Sequence, residues 1–302
     1  MNNALIVAAG MPVALLGAAG WLVLRHPLRV LNWSARRSLK GAGLRQASIP
    51  SPVGPQCAFV GGSGPVLALL HGAGDQAGTW ARVVPALVRK HTLVIPDLAG
   101  HGASAPAAGP IEAAAVVAGL EAVLASLAPG QRVTLVGNSL GAWMAMVLAA
   151  RHPERTERVV AVNGGALKLP PSSVNLLPRN REEARESMAR LRDPGSAPIP
   201  DRVLDELARR SRGGSLARFA ATAAGMEAWV LDEAQLRTLA LPVRLLWGTS
   251  DQLLPLDYAQ RMLAALPDAR LITIDQCGHI PQQEAPGRFL AALDRALHDQ
   301  VE

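Results

Sequence analysis

The sequence predicts an α/β fold in which a mostly parallel central sheet is flanked by helices. Three observations lead to this expectation. From Pro65 onward, short apolar runs alternate with longer amphipathic stretches, the pattern of parallel strands joined by helices. The alternation stops once, between Val162 and Val243, where about 80 residues carry no convincing strand. An apolar run at residues 4–24 adds an N-terminal segment of a different kind.

The composition is that of a globular protein with an unusual N-terminus. Of the 302 residues, 49% are hydrophobic and 18% are charged, which excludes a disordered or acidic-tail protein. Residues 1–74 hold six Lys or Arg and no acid, so the other 228 residues carry 24 charges of each sign and the net charge of +6 is N-terminal. A nucleic-acid partner is therefore not expected. Cys57 and Cys277 are too few for a disulfide framework.

Residues 4–24 form an apolar segment of 21 residues. As a helix it would be roughly 31 Å long, close to the thickness of a bilayer core. Trp21 and Trp33 lie near one end, where aromatic rings favour the membrane interface. The six cations between Arg25 and Arg45 favour the cytoplasmic side. We expect a single-pass membrane protein with a cytoplasmic globular domain, whose anchor and basic flank contact membrane lipids. A cleaved signal peptide or a buried helix is the alternative.

The elements of the α/β part follow from the alternation, in chain order. The predicted strands are Val66–Leu70, Thr92–Pro96, Val133–Gly137, Val159–Val162, Val243–Trp247 and Leu271–Ile274. The predicted helices are Ala77–Arg89, Ile111–Leu127, Leu140–Arg151, Tyr258–Leu266 and Pro286–Leu297. The segment Arg45–Val60 is rich in Pro and Ser and predicts weaker edge strands, because proline cannot donate to a strand ladder.

The segment without strands predicts a helical cap. Residues 179–218 carry ten arginines and seven acids in runs of helical period, which is typical of solvated helices. The insertion is too long for a simple crossover, so we expect a cap over the C-terminal edge of the sheet. The expected divisions are an anchor (1–24), a basic juxtamembrane segment with edge strands (25–60), a first core part (61–165), the cap (166–240) and a second core part (241–302).

A G-x-S-x-G pattern predicts a nucleophilic serine. Gly137-Asn138-Ser139-Leu140-Gly141 follows the strand that begins at Val133 and opens the helix that ends at Arg151. Between a strand and a helix, the two glycines permit a tight, strained turn that lifts the serine hydroxyl above the sheet. The alternative for Ser139 is a glycine-flanked helix N-cap.

A serine hydroxyl needs a base to take its proton and a carboxylate to orient that base. His279 follows the last predicted strand, in a position to reach over Ser139, and Asp251 follows the strand before it. The chain order Ser139, Asp251, His279 is the order expected on this type of sheet. Asp275 is a rival carboxylate, but it belongs to the strand that leads into His279. A surface loop histidine is the alternative reading of His279.

When a serine attacks a carbonyl group, the carbonyl oxygen becomes negatively charged. Backbone amides are expected to stabilise this oxyanion. One donor is the amide of Leu140, next to the nucleophile. The second is predicted at Ala73, in the glycine-containing loop after the first parallel strand. We interpret His71 in this loop as a structural hydrogen-bonding residue. The segment 97–102 is interpreted as turn chemistry after a strand.

Five stretches of the sequence together resemble the α/β-hydrolase fold family, across roughly residues 60–300. They read LLHGAGDQAGTW, VIPDLAGHGAS, LVGNSLGAWMA, LLWGTSDQLLP and DQCGHIPQQEAP. The resemblance implies the α/β-hydrolase fold and its Ser–Asp–His version. Serine at the nucleophile position differs from the Asp of haloalkane dehalogenases and soluble epoxide hydrolases. Ala142 departs mildly from a second Gly found in many relatives.

Within the family, the apolar segment and the stretches NREEARESMARL and CGHIPQQEAP are similar to membrane-anchored monoacylglycerol lipases. The resemblance implies hydrolysis of carboxylic esters, with lipid-like esters as small-molecule substrates and no metal or organic cofactor. An acyl pocket is predicted around Trp80, Trp143, Met226 and Trp229, although such residues are more often core. The alternatives are a carbon–carbon bond hydrolase of a ring-cleavage pathway, since some use a GNSxG turn, and a non-catalytic membrane binding protein with this fold.

Overall fold

A computed structural model of the chain describes residues 25–299, which build an eight-stranded sheet. Its strands are β1 (Arg45–Ile49), β2 (Gln56–Gly62), β3 (Val66–Leu70), β4 (Thr92–Pro96), β5 (Val133–Asn138), β6 (Thr156–Val162), β7 (Val243–Gly248) and β8 (Ala269–Ile274). The spatial order is β1-β2-β4-β3-β5-β6-β7-β8. β2 pairs antiparallel with both β1 and β4, and every other pairing in this order is parallel. The predicted α/β class with a mostly parallel sheet is confirmed.

Helices cover both faces of the sheet. They are α1 (Pro27–Gly41), α2 (Val84–Leu87), α3 (Ala113–Leu127), α4 (Leu140–Arg151), α5 (Arg181–Leu191), α6 (Asp201–Arg210), α7 (Ser215–Ala220), α8 (Ala223–Met226), α9 (Glu233–Leu236), α10 (Leu256–Ala265), α11 (Pro281–Glu284) and α12 (Pro286–His298). Short 3-10 helices span Ala77–Trp80, Pro153–Arg155 and Glu227–Trp229. The segment predicted as a cap contains α5 to α9 between β6 and β7.

The sheet is buried on both faces, as expected for parallel strands covered by helices. In β3 the side chains of Val66, Ala68 and Leu70 belong to one apolar cluster, which includes residues of α3, α4 and α10. Leu67 and Leu69 point to the opposite cluster, which includes residues of α12. This alternation leaves the carboxyl ends of the parallel strands as the edge where polar side chains can meet.

The predicted helix over Ala77–Arg89 is wrong as a single element. The chain forms a 3-10 turn over Ala77–Trp80, and α2 begins only at Val84. Pro85 explains the break, because a proline has no amide hydrogen to donate and is tolerated only in the first turn of a helix.

The predicted basic juxtamembrane segment with edge strands, residues 25–60, contains α1, β1 and most of β2. In α1, Leu39 is fully buried and Arg36 forms an ion pair with Asp97 at 2.7 Å. At the start of α1, the Leu28 amide donates to Glu206 of α6 at 2.6 Å. Its basic residues therefore contribute to tertiary structure, and β1 is the predicted edge strand.

The predicted single-pass membrane location is corrected here. Among residues 25–299, none of the helices combines the length and apolar character needed to cross a bilayer. The apolar segment 4–24, on which the prediction was based, lies outside the described residues.

Candidate active site

Ser139 lies on the sharp turn between the end of β5 and the start of α4. Its backbone adopts φ 54° and ψ −115°, a strained left-handed conformation for a residue with a side chain. The flanking glycines are required sterically, because a Cβ at Gly137 would collide with the backbone of Gly141. A third glycine, Gly164 after β6, also lies against the Ser139 backbone. The turn leaves Ser139 partly exposed while Asn138 and Leu140 on either side are buried.

His279 and Asp251 form a buried pair at the same edge of the sheet. Asp251 follows β7 and His279 follows β8, and His279 Nδ1 lies 2.7 Å from Asp251 Oδ2. The Asp251 side chain is fully buried and that of His279 is 6% exposed. When Nδ1–H donates to the carboxylate, the neutral ring carries its lone pair on Nε2, as a general base requires. Asp275 is exposed and is not the partner of His279.

Asp251 is held by donors that the sequence analysis missed. Asn163 Nδ2 donates to Asp251 Oδ2 at 2.7 Å, and the amides of Leu253 and Leu254 donate to Oδ1 at 2.9 and 3.1 Å. Asn163 also accepts from the Gly248 amide at 3.1 Å and has φ 44°. An asparagine directly after a parallel strand, before two glycines, is the only signal of this role in the sequence.

The His279 backbone is fixed by a second missed network. Asn138 Nδ2 donates to the His279 carbonyl at 2.9 Å, and Asn138 Oδ1 accepts from Gln282 Nε2 at 3.2 Å. The His279 amide donates to the Leu191 carbonyl of α5 at 2.8 Å. These bonds connect the histidine to the serine turn and to α5.

The neighbouring Cys277 is not a competing nucleophile. Burial and, second, the nearby Glu284 carboxylate raise the pKa of its thiol to about 12. A thiol reacts as the thiolate, so Cys277 stays inert near neutral pH.

The predicted oxyanion loop approaches the serine. A Cβ at Gly72 would lie 3.3 Å from Ser139 Cβ, so the chain around Ala73 passes close to the turn. Leu140 is the first residue of α4, and the first amides of a helix have no intrahelical acceptor. His71 Nε2 accepts from the Leu98 amide at 2.9 Å, and its Nδ1 lies 2.8 Å from the Gly72 carbonyl oxygen. The structural interpretation of His71 agrees with these bonds.

The segment 97–102 forms hydrogen bonds and an ion pair with neighbouring parts of the chain. Asp97 accepts from the amides of Ala77 and Ala103, both at 2.8 Å, in addition to its ion pair with Arg36. Burial lowers the pKa of His101 to about 3, so this histidine is neutral. These contacts agree with turn chemistry.

Three of the four residues predicted to line a pocket, Trp143, Met226 and Trp229, pack against the same apolar cluster. Trp143 of α4 donates from Nε1 to the Trp229 carbonyl at 2.8 Å, and Met226 and Trp229 are partly buried against the same apolar cluster. A cavity of about 250 Å³ is lined by Trp229 and by residues 112–114 and 222–225. Trp80 is corrected: it is fully buried in the opposite cluster and packs on Phe289 with ring centroids 5.9 Å apart.

Within residues 25–299, no three His, Cys, Asp or Glu side chains are grouped so that they could hold a metal ion.

Comparison with known proteins gives the class. Residues 67–293 match the alpha/beta hydrolase family. The chain is 32% identical over 248 residues to 2-hydroxymuconate semialdehyde hydrolase of Pseudomonas sp. (strain CF600), covering 77% of this chain and 86% of that protein. It is 30% identical over 248 residues to pimeloyl-(acyl-carrier protein) methyl ester esterase of Nitrosomonas europaea, covering 77% and 96%.

A solved structure agrees on the fold. A bacterial membrane phospholipase A superposes with a TM-score of 0.75 at 24% identity, covering 96% of this chain and 98% of that chain. At this identity the likeness concerns the fold alone. The chain belongs to the alpha/beta hydrolase family, and the resemblance seen in its sequence is confirmed.

Proposed function

We propose that this alpha/beta hydrolase is a serine hydrolase that cleaves carboxylic esters through an acyl-enzyme. The observation that carries the proposal is Ser139 on its strained turn, at the sheet edge that also bears the buried His279–Asp251 pair. A nucleophile, an oriented base and adjacent amides are the groups that acyl transfer requires.

In the first step, His279 Nε2 takes the proton of Ser139 Oγ as the oxygen attacks the ester carbonyl carbon. The new C–O bond moves the carbonyl π electrons onto oxygen, and the amides of Ala73 and Leu140 stabilise that oxyanion. Collapse of the intermediate breaks the bond to the alcohol oxygen, which takes the proton from His279. The ionised Asp251 stabilises the imidazolium that exists between these transfers.

In the second step, His279 removes a proton from water as the water oxygen attacks the acyl carbon. The acid leaves, Ser139 recovers its proton from His279, and the net reaction is ester plus water giving acid plus alcohol. Each proton taken by the histidine is returned, so no other reactant is needed.

Lipid-like esters are the substrate class that we propose. Trp143, Met226 and Trp229 provide apolar surface between the core and the proposed cap, residues 166–240, where an acyl chain could be bound. The Nitrosomonas europaea relative, by its name an esterase for a methyl ester, supports ester cleavage.

A fluorophosphonate probe tests the nucleophile directly. We expect covalent labelling of the full chain and complete loss of labelling and esterase activity in Ser139→Ala, since the members of such a triad act as a unit. Ser63→Ala, which removes an exposed serine hydroxyl on the turn before β3, is the matched control and should label normally. Unlabelled wild-type protein would contradict the proposal and favour the non-catalytic binding alternative.

Carbon–carbon bond hydrolysis is the second candidate, because the Pseudomonas relative is named 2-hydroxymuconate semialdehyde hydrolase. Such a substrate is an anion and needs cationic groups in the pocket. Two of the three arginines of α5, Arg181 and Arg185, instead pair with acids of the proposed cap at 2.7 to 3.2 Å. The third, Arg190, donates to the Ser173 hydroxyl. A panel of monoacylglycerols, short p-nitrophenyl esters and a ring-fission dienol acid separates the two: we expect turnover of the esters, and dominant turnover of the dienol acid would reverse the assignment.

A further inference from the structure

A second cavity, of about 490 Å³, lies beside the loop that carries His279. Gln276 of this loop and Gln283 and Glu284 of α11 contribute to its wall, whereas Ser139 and His279 do not line it. Most of the remaining wall comes from residues 192–197, which follow α5. The cavity is thus separate from the proposed acyl site and lies where cap and core meet.

Three arginines from separate parts of the chain line this cavity. Arg82 follows the first 3-10 turn, Arg192 follows α5, and Arg288 lies in the first turn of α12. Their convergence is tertiary, because no two of them are neighbours in sequence. We refer to Arg82, Arg192 and Arg288 as the arginine cluster.

Among the described residues, no carboxylate forms an ion pair with the arginine cluster, although Asp193 and Glu284 line the same cavity. Each guanidinium instead donates to a backbone carbonyl: Arg192 to Ala197 at 2.8 Å, Arg288 to Gln276 at 2.9 Å, and Arg82 to Gln283. A guanidinium has five N–H donors, so these single bonds leave most of its donor capacity unused.

The two acids in the wall are bonded to other donors. Glu284 accepts from the amides of Asp193 at 2.8 Å and Gly278 at 2.6 Å, and from the Ser196 hydroxyl. Asp193 accepts from the Ser250 hydroxyl at 2.5 Å. These bonds fix the positions of both carboxylates in the wall. The wall carries three cations and two anions, a formal excess of one positive charge.

We propose that this cavity binds a small anionic ligand with phosphate or carboxylate groups. The planar guanidinium fork matches the oxygens of both groups, and three arginines against two hydrogen-bonded carboxylates leave the cavity an excess of positive charge that attracts an anion. The volume is in the range of small-molecule sites, but the charged wall selects against an apolar ligand. One ligand would bridge Arg192 of the cap segment to Arg82 and Arg288 of the core.

Binding should also stabilise the fold, since a ligand that binds only the folded state raises the unfolding temperature. The wall connects to the proposed active site through covalent neighbours: Gly278, bonded to Glu284, precedes His279 in the chain. The ligand would therefore hold the cap segment against the histidine loop.

The test is isothermal titration of the full chain with inorganic pyrophosphate and, separately, with citrate, at constant ionic strength. We expect saturable one-site binding of at least one probe, and the preferred probe identifies the phosphate or the carboxylate class. Arg192→Gln and Arg288→Gln should each weaken that binding at least tenfold. Arg89→Gln removes an exposed arginine outside the cavity and should bind like the wild type.

Arg288→Lys adds a test that does not depend on a loss of structure. It keeps the charge but loses the planar fork, so its affinity should fall between wild type and Arg288→Gln. Thermal unfolding without ligand confirms that each variant is folded. Absence of saturable binding for both probes, or equal weakening by Arg89→Gln, would overturn the proposal. Because no readout uses hydrolysis, the result is independent of the proposed esterase activity.

Discussion

The carboxyl edge of the sheet and the helix pair α5–α6 are held together in opposite ways. At the sheet edge, buried side chains bond across long stretches of chain. Asn163 reaches Asp251, 88 residues away, and Gln282 reaches Asn138, 144 residues away. All four of these residues are at most 5% exposed.

In the helix pair, the ion pairs join residues that are closer in sequence, and their side chains are exposed to solvent. Arg181 pairs with Asp205 and Arg185 with Asp201, across 24 and 16 residues, and all four side chains are at least one-third exposed. Water competes for such pairs, and their mixed charges are the pattern that predicted solvated helices. The residues proposed for catalysis are thus held by buried hydrogen bonds between distant parts of the chain. We therefore expect substitutions at the sheet edge to have the largest effects on activity.

The largest effect is expected at Asp251. Asp251→Asn replaces the carboxylate that orients His279 and stabilises its imidazolium, so kcat/KM for a p-nitrophenyl ester should fall by on the order of 10⁴. Asp275→Asn is the matched control, since it changes an exposed rival four residues before His279. Near-normal activity in Asp251→Asn together with a large loss in Asp275→Asn would exchange the two assignments.

A smaller loss is expected at Asn163, which holds Asp251 and would not touch the substrate. Asn163→Gly removes the donor but tolerates the left-handed backbone at this position. Losing a hydrogen bond to a charged group costs about 1.5–3 kcal/mol, so kcat should fall by roughly 10- to 100-fold. KM should change little. A variant with raised KM and unchanged kcat would place Asn163 in the substrate site instead.

Arg36 extends the comparison from activity to stability. Its partner Asp97 is fully buried, so Arg36→Gln leaves a buried charge without its cation. The expected loss is about 3 kcal/mol in the free energy of unfolding, measured by urea denaturation.

Arg185→Gln is the matched change in the helix pair. Its ion pairs are solvent-exposed, so no resolvable change in unfolding free energy is expected. Equal losses of unfolding free energy in Arg36→Gln and Arg185→Gln would show that burial does not determine how much these ion pairs contribute to stability.

The same contrast explains what the sequence could predict. Ser139, Asp251 and His279 could be predicted as a site because each lies within a few residues of the end of a strand, in a recognisable local pattern. The pocket position predicted for Trp80 is wrong, because the local sequence does not reveal on which face of the sheet a tryptophan packs. Arg36 was read as part of a basic flank because its partner lies 61 residues away, and nothing near either residue announces the pair.

The arginine cluster illustrates the same limit. Arg82, Arg192 and Arg288 are unremarkable in sequence, and only the packing of the segment after α5 against the histidine loop brings them to one cavity. Cavities and ion networks arise from several chain segments at once, so local periodicity carries no information about them.

Asp299 forms ion pairs with residues far away in sequence, although its side chain is partly exposed. It pairs with Arg158, 141 residues away, and with Arg244, yet its side chain is 36% exposed. Hydrogen bonds from Arg158, then from Arg244, lower the pKa of this carboxyl to about 2 from an ordinary value of 3.8. The ion pairs of Asp299 therefore join distant parts of the chain, like the bonds at the sheet edge, but they are exposed to solvent, like those of the helix pair.

The smallest resolvable effect on the free energy of unfolding is expected at Asp299, and it depends on pH. A carboxyl whose pKa is lower in the folded state stabilises the fold above its unfolded pKa, and this contribution is lost as pH falls from about 4 to about 2. Solvent screening reduces it to about 1 kcal/mol. Asp299→Asn, which tolerates the left-handed backbone at this position, should be less stable than wild type at pH 6, and the difference should vanish near pH 2. Asp275→Asn controls for the loss of one exposed charge. A difference between Asp299→Asn and wild type that stays constant from pH 6 to pH 2 would assign the effect to packing rather than to charge.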